Sequence, residues 1–161
     1  MIRVRPAHPL DARELAELLS DIIAIGGTTA ITGPVGRDDI LDWMRRAEGA
    51  SAWHVAEDDS GSIIGFQCIE PADYLPQEAA EIATFAKPGQ QGLGIGSTLF
   101  EATRVAARRL GYAWINAAIR ADNTGGLAYY QSRGFETCGR IEGYRMADGT
   151  TVDKILKRLD L

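Results

Sequence analysis

Several features that mark particular protein classes are scarce in this sequence. It has two cysteines and two histidines among 161 residues, and no cluster of His, Cys and carboxylate side chains has metal-ligand spacing, so no metal site is expected. Cys68 and Cys138 lie far apart in strand-like runs, which favours buried free thiols over a disulfide. No apolar run approaches the ~20 residues of a membrane span. The opening Met1-Ile-Arg-Val-Arg reads as a strand and not as the core of a signal peptide, which predicts a cytoplasmic protein.

Positive charge is also scarce, because 17 Lys and Arg face 22 Asp and Glu, for a net charge of −5. No basic tract is present, and this disfavours nucleic acid as a partner. An acidic protein can still hold a pyrophosphate through backbone N–H groups at the start of a helix.

The hydrophobic fraction of 45% and charged fraction of 24% are ordinary for a globular protein. The length predicts one domain over residues 1–161.

Hydrophobic periodicity and turn signals predict the element order β-α-α-β-β-β-α-β-α-β-β. The predicted strands cover about residues 2–6, 52–57, 63–69, 81–86, 112–119, 135–146 and 151–159. The predicted helices cover residues 11–25, a segment that starts at Asp38 or Asp39, about 96–110, and 124–132. Asn123 stands at the cap position of the last helix.

The most informative segment is the glycine-rich stretch from Pro88 to Ser97, between a predicted strand and a predicted helix. Gly92, Gly94 and Gly96 alternate there, so the backbone can turn sharply and bring its N–H groups close to a ligand. A Walker loop is disfavoured because no lysine precedes the hydroxyl residue, and a Rossmann fingerprint because the glycine spacing does not fit. A phosphate cradle of another type is indicated.

The spacing Gln91-x-x-Gly94-x-Gly96 resembles the pyrophosphate loop of the GNAT superfamily of acyl-CoA-dependent N-acetyltransferases. A second segment, Asn123 through Tyr130 to Gly134-Phe135, is similar to that family's second signature. The resemblance is strong over about residues 78–140. It implies an α/β (α+β) GNAT fold, with a mixed, mostly antiparallel sheet of about seven strands and helices on both faces.

The resemblance implies acetyl-CoA as cosubstrate, with no metal. The residues whose backbone N–H groups would hold its pyrophosphate are Gln91, Gly92, Leu93, Gly94, Ile95, Gly96 and Ser97. Leu93 departs from the family, which often has a basic residue there. A backbone N–H at Phe85 or Ala86 would polarise the thioester carbonyl, and the pantetheine arm would enter a gap beside that strand. Asn123 would contact the arm, cap its helix, or do both.

Two side chains are candidates for moving protons. Tyr130 lies where the family places the tyrosine that protonates the departing thiolate, although a tyrosine packed in the core is the alternative. Tyr129 is expected to point elsewhere on the helix. Glu81 is the candidate base for the amine, with a solvated charge at a strand end as the alternative. No nucleophilic triad is evident, which favours direct transfer without an acyl-enzyme.

The acceptor is less constrained by the sequence. The segment from Ile22 to Ala30, with the Asp-Asp-Ile-Leu-x-Trp helix after it, is similar to the start of phosphinothricin and methionine-sulfone acetyltransferases. A small, amino-acid-like primary amine is therefore the leading acceptor. The alternatives are a protein N-terminus or lysine, and a non-catalytic acyl-CoA-binding sensor or interaction module. The resemblance also suggests a homodimer.

Overall fold

The computed structural model describes residues 1–90 and 93–161, and its element order confirms the predicted one. The strands are β1 Arg3–Pro6, β2 Ala52–Glu57, β3 Ile63–Glu70, β4 Ala79–Ala86, β5 Trp114–Arg120, β6 Glu136–Arg145 and β7 Thr151–Asp160. The helices are α1 Ala12–Ile25, α2 Arg37–Arg45, α3 Ile95–Arg109 and α4 Thr124–Ser132, and a short 3-10 turn, Pro9–Asp11, leads into α1. Among the described residues, none of the helices has the length and apolar character needed to cross a membrane.

The seven strands form one sheet in the order β1-β2-β3-β4-β5-β7-β6. Neighbouring strands are antiparallel except β4 and β5, which are parallel. The β4–β5 pairing ends at Ile82 and Ala117, whereas β4 continues to Ala86 and β5 to Arg120. The two strands therefore separate over their last residues and leave an opening in the middle of the sheet.

Helices cover both faces of the sheet, as predicted, because the strands are apolar on both sides. On one face, α1 and α2 bury Leu15, Leu19 and Ile40 against Val55 and Phe66. On the other face, α3 and α4 close a second core that contains Phe100, Ile115, Tyr130 and Phe135. Residues that alternate along β4 therefore face different helix layers.

Most differences from the predicted bounds occur at element ends, where caps decide the boundary. The second helix begins at Arg37 because the Asp39 carboxylate accepts the backbone N–H of Gly36 at 2.8 Å. The prediction that both cysteines are buried was wrong for one of them. Cys68 is buried and free, but Cys138 is exposed because β6 is the edge strand of the sheet.

Candidate active site

A cleft of about 900 Å³ runs through the opening between β4 and β5. One half lies on the α3 and α4 face and is bounded by the first residues of those helices. The other half lies toward α1 and is bounded by the loop that follows it. The lining residues that the argument uses are Thr84, Ala86, Gly96, Asn123, Tyr130 and Lys154. A ligand could therefore extend from one face of the sheet to the other.

The N-terminus of α3 opens into this cleft. Gly94 caps the helix with a φ of 83°, a left-handed conformation that favours glycine. The N–H of Thr98 bonds to the Gly94 carbonyl at 3.0 Å, and the N–H groups of residues 95–97 precede this first intrahelical bond. All four residues from Gly94 to Ser97 line the cleft, and the Ile95 side chain is buried there. These donors and the helix dipole make the site suitable for a pyrophosphate.

Two of the predicted cradle residues, Gln91 and Gly92, lie outside the described residues. Leu93 is described, and its side chain is 63% exposed just before the cap of α3. The described part of the cradle is therefore the start of α3. There, anion binding would depend on backbone N–H groups rather than on charged side chains.

Tyr130 is 7% exposed and lies at the cleft wall, with its ring against Phe135. Its hydroxyl shares a hydrogen bond of 2.7 Å with the Thr84 hydroxyl on β4. Burial raises the pKa of the Tyr130 phenol well above its usual value, and the bond to Thr84 opposes that rise. The phenol is therefore protonated at neutral pH and placed beside the opening in the sheet.

Tyr129 does not point elsewhere, so that prediction was wrong. Its hydroxyl donates to the Gly96 carbonyl at 2.7 Å and accepts a bond from Gln67 Nε2 at 3.2 Å. Burial raises the pKa of this phenol too. The reason is tertiary, because α4 lies so close to the first turn of α3 that both tyrosines of α4 reach the cleft.

Asn123 is placed at the start of α4, where both of its predicted roles are geometrically possible. Its side-chain oxygen accepts the backbone N–H of Gly126 at 3.0 Å and caps the helix. Its Nδ2 donates to the Thr28 carbonyl at 3.2 Å, and Arg120 donates to the Thr29 carbonyl at 3.0 Å. These two bonds attach the α1–α2 loop to the wall of the cleft.

The hydrogen-bond ladder of β3 and β4 distinguishes between Phe85 and Ala86, the two candidates for the N–H that would polarise the thioester carbonyl. The Lys87 N–H bonds to the Ile64 carbonyl at 2.8 Å, and the register of the two strands is unbroken from there. Because bonded pairs alternate in an antiparallel ladder, the Phe85 backbone is directed toward β3. The Ala86 N–H is directed toward the opening, which makes Ala86 the better candidate.

Glu81 lies on the opposite face of β4 from Thr84 and outside the lining of the cleft. Its carboxylate accepts hydrogen bonds from the Tyr74 hydroxyl and, at 3.4 Å, from Asn116 Nδ2. Burial and the bond to Glu81 raise the pKa of Tyr74 far above its usual value. Any base action by Glu81 on an amine in the cleft would therefore need a bridging water.

Three further residues of interest were missed by the sequence analysis. Gln67 is 0% exposed and interrupts the apolar run from Ile63 to Ile69 in β3, and that polar interruption was a usable signal. Thr84 and Lys154 had no comparable signal. Lys154 Nζ lies 3.5 Å from the centroid of the Tyr144 ring and faces the α1 half of the cleft, and burial lowers its pKa.

Within residues 1–90 and 93–161, no group of His, Cys and carboxylates could hold a metal ion.

Comparison with known proteins gives concordant matches. Residues 25–135 match the model of the acetyltransferase (GNAT) family. The chain is 28% identical over 158 residues to the Bacillus subtilis protein named "Putative phosphinothricin acetyltransferase YwnH". This match covers 96% of this chain and 97% of that protein.

Two solved structures share the fold over almost the whole chain. One is a phosphinothricin acetyltransferase from Sinorhizobium meliloti in complex with acetyl-CoA, with 21% identity, a TM-score of 0.85, and 99% of this chain and 88% of that chain covered. The other is a ribosomal-protein-alanine N-acetyltransferase from Brucella melitensis, with 23% identity, a TM-score of 0.88, and 99% of each chain covered.

Proposed function

Because the chain belongs to the acetyltransferase (GNAT) family, we propose that it transfers an acetyl group from acetyl-CoA directly to the primary amine of a small, amino-acid-like molecule. The observation that carries this proposal is the opening between β4 and β5. It joins a cradle of N–H groups and a buried phenol on one face of the sheet to a separate half-cleft on the other. Two substrates could meet there from opposite sides.

The residues on the first face suit acetyl-CoA. The N–H groups of residues 95–97 would bind the pyrophosphate. The backbone of β4 beyond Ile82, no longer paired with β5, would bind the pantetheine arm in the manner of an added strand. The Ala86 N–H would donate to the thioester oxygen as negative charge develops there.

The proposed chemistry needs two proton movements. As the amine nitrogen bonds to the carbonyl carbon, it loses a proton, which Glu81 would accept through water. As the carbon–sulfur bond breaks, the electron pair stays on sulfur and the Tyr130 hydroxyl would supply a proton to the thiolate. Both groups are held by neighbours, Glu81 by Tyr74 and Tyr130 by Thr84.

Lys154 supports an acceptor that carries an anionic group. Its ammonium lines the α1 half of the cleft, where it contacts the Tyr144 ring. It forms no ion pair with a described residue, although the charge of Glu81 partly offsets the lowering of its pKa by burial. Arg120 also lines this half, but its guanidinium is paired with Asp122. A carboxylate or phosphinate on the acceptor would therefore find its counter-charge at Lys154.

The test is acetyl-CoA-dependent thiol release with a panel of free amino acids, their methyl esters, polyamines, aminoglycosides and short peptides. Release with one amino acid but not its ester supports the proposal. Lys154→Met should then raise KM for that acceptor about tenfold or more, since a desolvated charge pair contributes on the order of 1.5–3 kcal/mol, while Lys154→Arg retains activity.

Other results would redirect the assignment. Release only with peptides would indicate a protein acceptor, and bound acetyl-CoA without release for any amine would indicate a sensor. The homodimer and the cytoplasmic location remain predictions, which gel filtration and cell fractionation would test.

A further inference from the structure

A chain of hydrogen bonds links the first turn of α3 to the Tyr130 hydroxyl. Gln67, buried on β3, donates from Nε2 to the Thr84 hydroxyl at 2.9 Å and to the Tyr129 hydroxyl at 3.2 Å. The Thr84 oxygen lies 2.7 Å from the Tyr130 oxygen. At the other end, the Tyr129 hydroxyl lies 2.7 Å from the Gly96 carbonyl.

The direction of each bond follows from which groups can donate. A carbonyl only accepts, so Tyr129 must give its single proton to Gly96. Tyr129 can therefore only accept from Gln67, and the amide nitrogen, not the amide oxygen, must face it. The same nitrogen faces Thr84, so the orientation of the Gln67 amide is set by Tyr129.

The Thr84 hydroxyl then accepts from Gln67 and has one proton left. The Thr84 oxygen lies 2.7 Å from the Tyr130 oxygen, and either hydroxyl could be the donor in that bond. With Thr84 as the donor, the Tyr130 proton is directed away from Thr84. The remaining space around the hydroxyl is the cleft.

We propose that Gln67, Thr84 and Tyr129 are positioning residues that direct the Tyr130 proton toward the departing thiolate. This inference rests on the acid role of Tyr130 in the proposed function and extends it to the residues behind the phenol. When the carbon–sulfur bond breaks, sulfur keeps the electron pair and takes the Tyr130 proton. The phenolate oxygen keeps the Thr84 hydrogen bond until solvent returns a proton.

The need for such support follows from burial. A thiol has an ordinary pKa near ~8.5 and a phenol near ~10, and burial raises the pKa of Tyr130 further. A hydrogen bond donated to the phenolate stabilises the charged form and lowers the pKa. Thr84 therefore makes a buried tyrosine a better acid than its surroundings alone would allow.

The decisive experiment is a double-mutant cycle between Thr84 and Tyr130. Thr84→Val removes the hydroxyl at nearly constant shape and should lower kcat at least tenfold, whereas Thr84→Ser should stay within about threefold of wild type. In a Tyr130→Phe background, Thr84→Val should cause almost no further loss, because the group through which it acts is absent. Thr103→Val is the matched control, since Thr103 is also buried but its hydroxyl has no described hydrogen-bond partner.

Two outcomes would overturn the inference. One is a Thr84→Val variant with normal kcat although Tyr130→Phe is slow, and the other is a loss that adds in full to that of Tyr130→Phe. Normal kcat in Tyr130→Phe itself would instead remove the acid role and, with it, this proposal. The acetyl-CoA dissociation constant and the melting temperature of each variant separate these results from a failure to bind or fold.

Gln67 provides an independent variant should Thr84→Val prove unstable. Gln67→Met keeps the length of the side chain and removes the amide donors, so the Thr84 proton is no longer oriented. We expect kcat to fall about fivefold or more with KM for acetyl-CoA little changed. Unchanged kcat in a folded Gln67→Met variant would contradict the proposal.

Discussion

The Tyr129 ring lies directly against the α-carbon of Gly96. A β-carbon added at Gly96 would be 2.6 Å from Cε1 of that ring, and the Tyr129 hydroxyl donates to the Gly96 carbonyl at 2.7 Å. The glycine is therefore required by a side chain of this protein as well as by any approaching ligand. The contact joins the start of α3 to α4, which are the two elements that bound the proposed acetyl-CoA half of the cleft.

Gly96→Ala should therefore destabilise the protein and impair the cradle. Overpacking of this kind costs about 1–3 kcal/mol, and displacement of Tyr129 would also release the Gln67 amide. Chemical denaturation and acetyl-CoA titration would measure the two effects. Gly33→Ala is the control, because a β-carbon there meets no atom within 4 Å. Equal stability of the two variants would show that the Tyr129 ring yields without cost.

Tyr130→Phe should lower kcat by about 10²-fold or more, a typical contribution of a positioned acid. KM for acetyl-CoA should change little, because the ring still packs on Phe135. Steady-state kinetics at neutral pH provide the measurement. Tyr112→Phe is the matched control, since its hydroxyl bonds to the Ala50 carbonyl and lies outside the cleft lining. A control variant that loses as much kcat would make the effect non-specific.

Glu81→Gln should lower kcat/KM at neutral pH and leave it nearly normal at high pH. At neutral pH the free amine, with a pKa near ~10, is mostly protonated and needs an acceptor for its proton, whereas at high pH it is already neutral. A pH profile of kcat/KM from 6.5 to 10 distinguishes the two conditions. Glu78→Gln, at an exposed position just before β4, should retain the wild-type profile. A uniform loss across pH in Glu81→Gln would indicate a structural role.

His54 should make the protein less stable in mild acid. Burial lowers the pKa of His54, and its Nδ1 is buried without a described hydrogen-bond partner. The unfolded chain therefore binds a proton more readily than the folded one. The contribution to stability is complete above the unfolded pKa near ~6.5 and is lost as pH falls from there toward the folded pKa.

Urea unfolding between pH 8 and pH 4.5 would measure this dependence. His54→Gln should flatten the part of the curve just below pH 6.5, whereas His8→Gln, at an exposed cap, should keep the wild-type slope there. An unchanged slope in His54→Gln would assign the acid sensitivity to carboxylates such as Asp11, whose pKa is lowered by its bond to Arg5.

Much of the fold was predictable because its signals are local. Periodicity and caps depend on residues a few positions apart, so element order and helix α4, from Thr124 to Ser132, were predicted correctly. The exposure of Cys138 was not, because alternation along a strand does not reveal whether that strand lies at the edge of the sheet. Edge position is decided by strand order, which depends on contacts between distant segments.

The family could be recognised from the sequence, through the spacing of Gly94 and Gly96 and the segment from Asn123 to Phe135, because backbone approach to a ligand requires particular residues at set intervals. The groups that lie around Tyr130 depend instead on how distant segments pack in the fold. Strand register places Gln67 of β3 opposite Thr84 of β4, and the packing of α4 against the start of α3 brings Tyr129 to the same amide. The register also directs the Ala86 N–H rather than that of Phe85 into the opening, because bonded pairs alternate along the ladder.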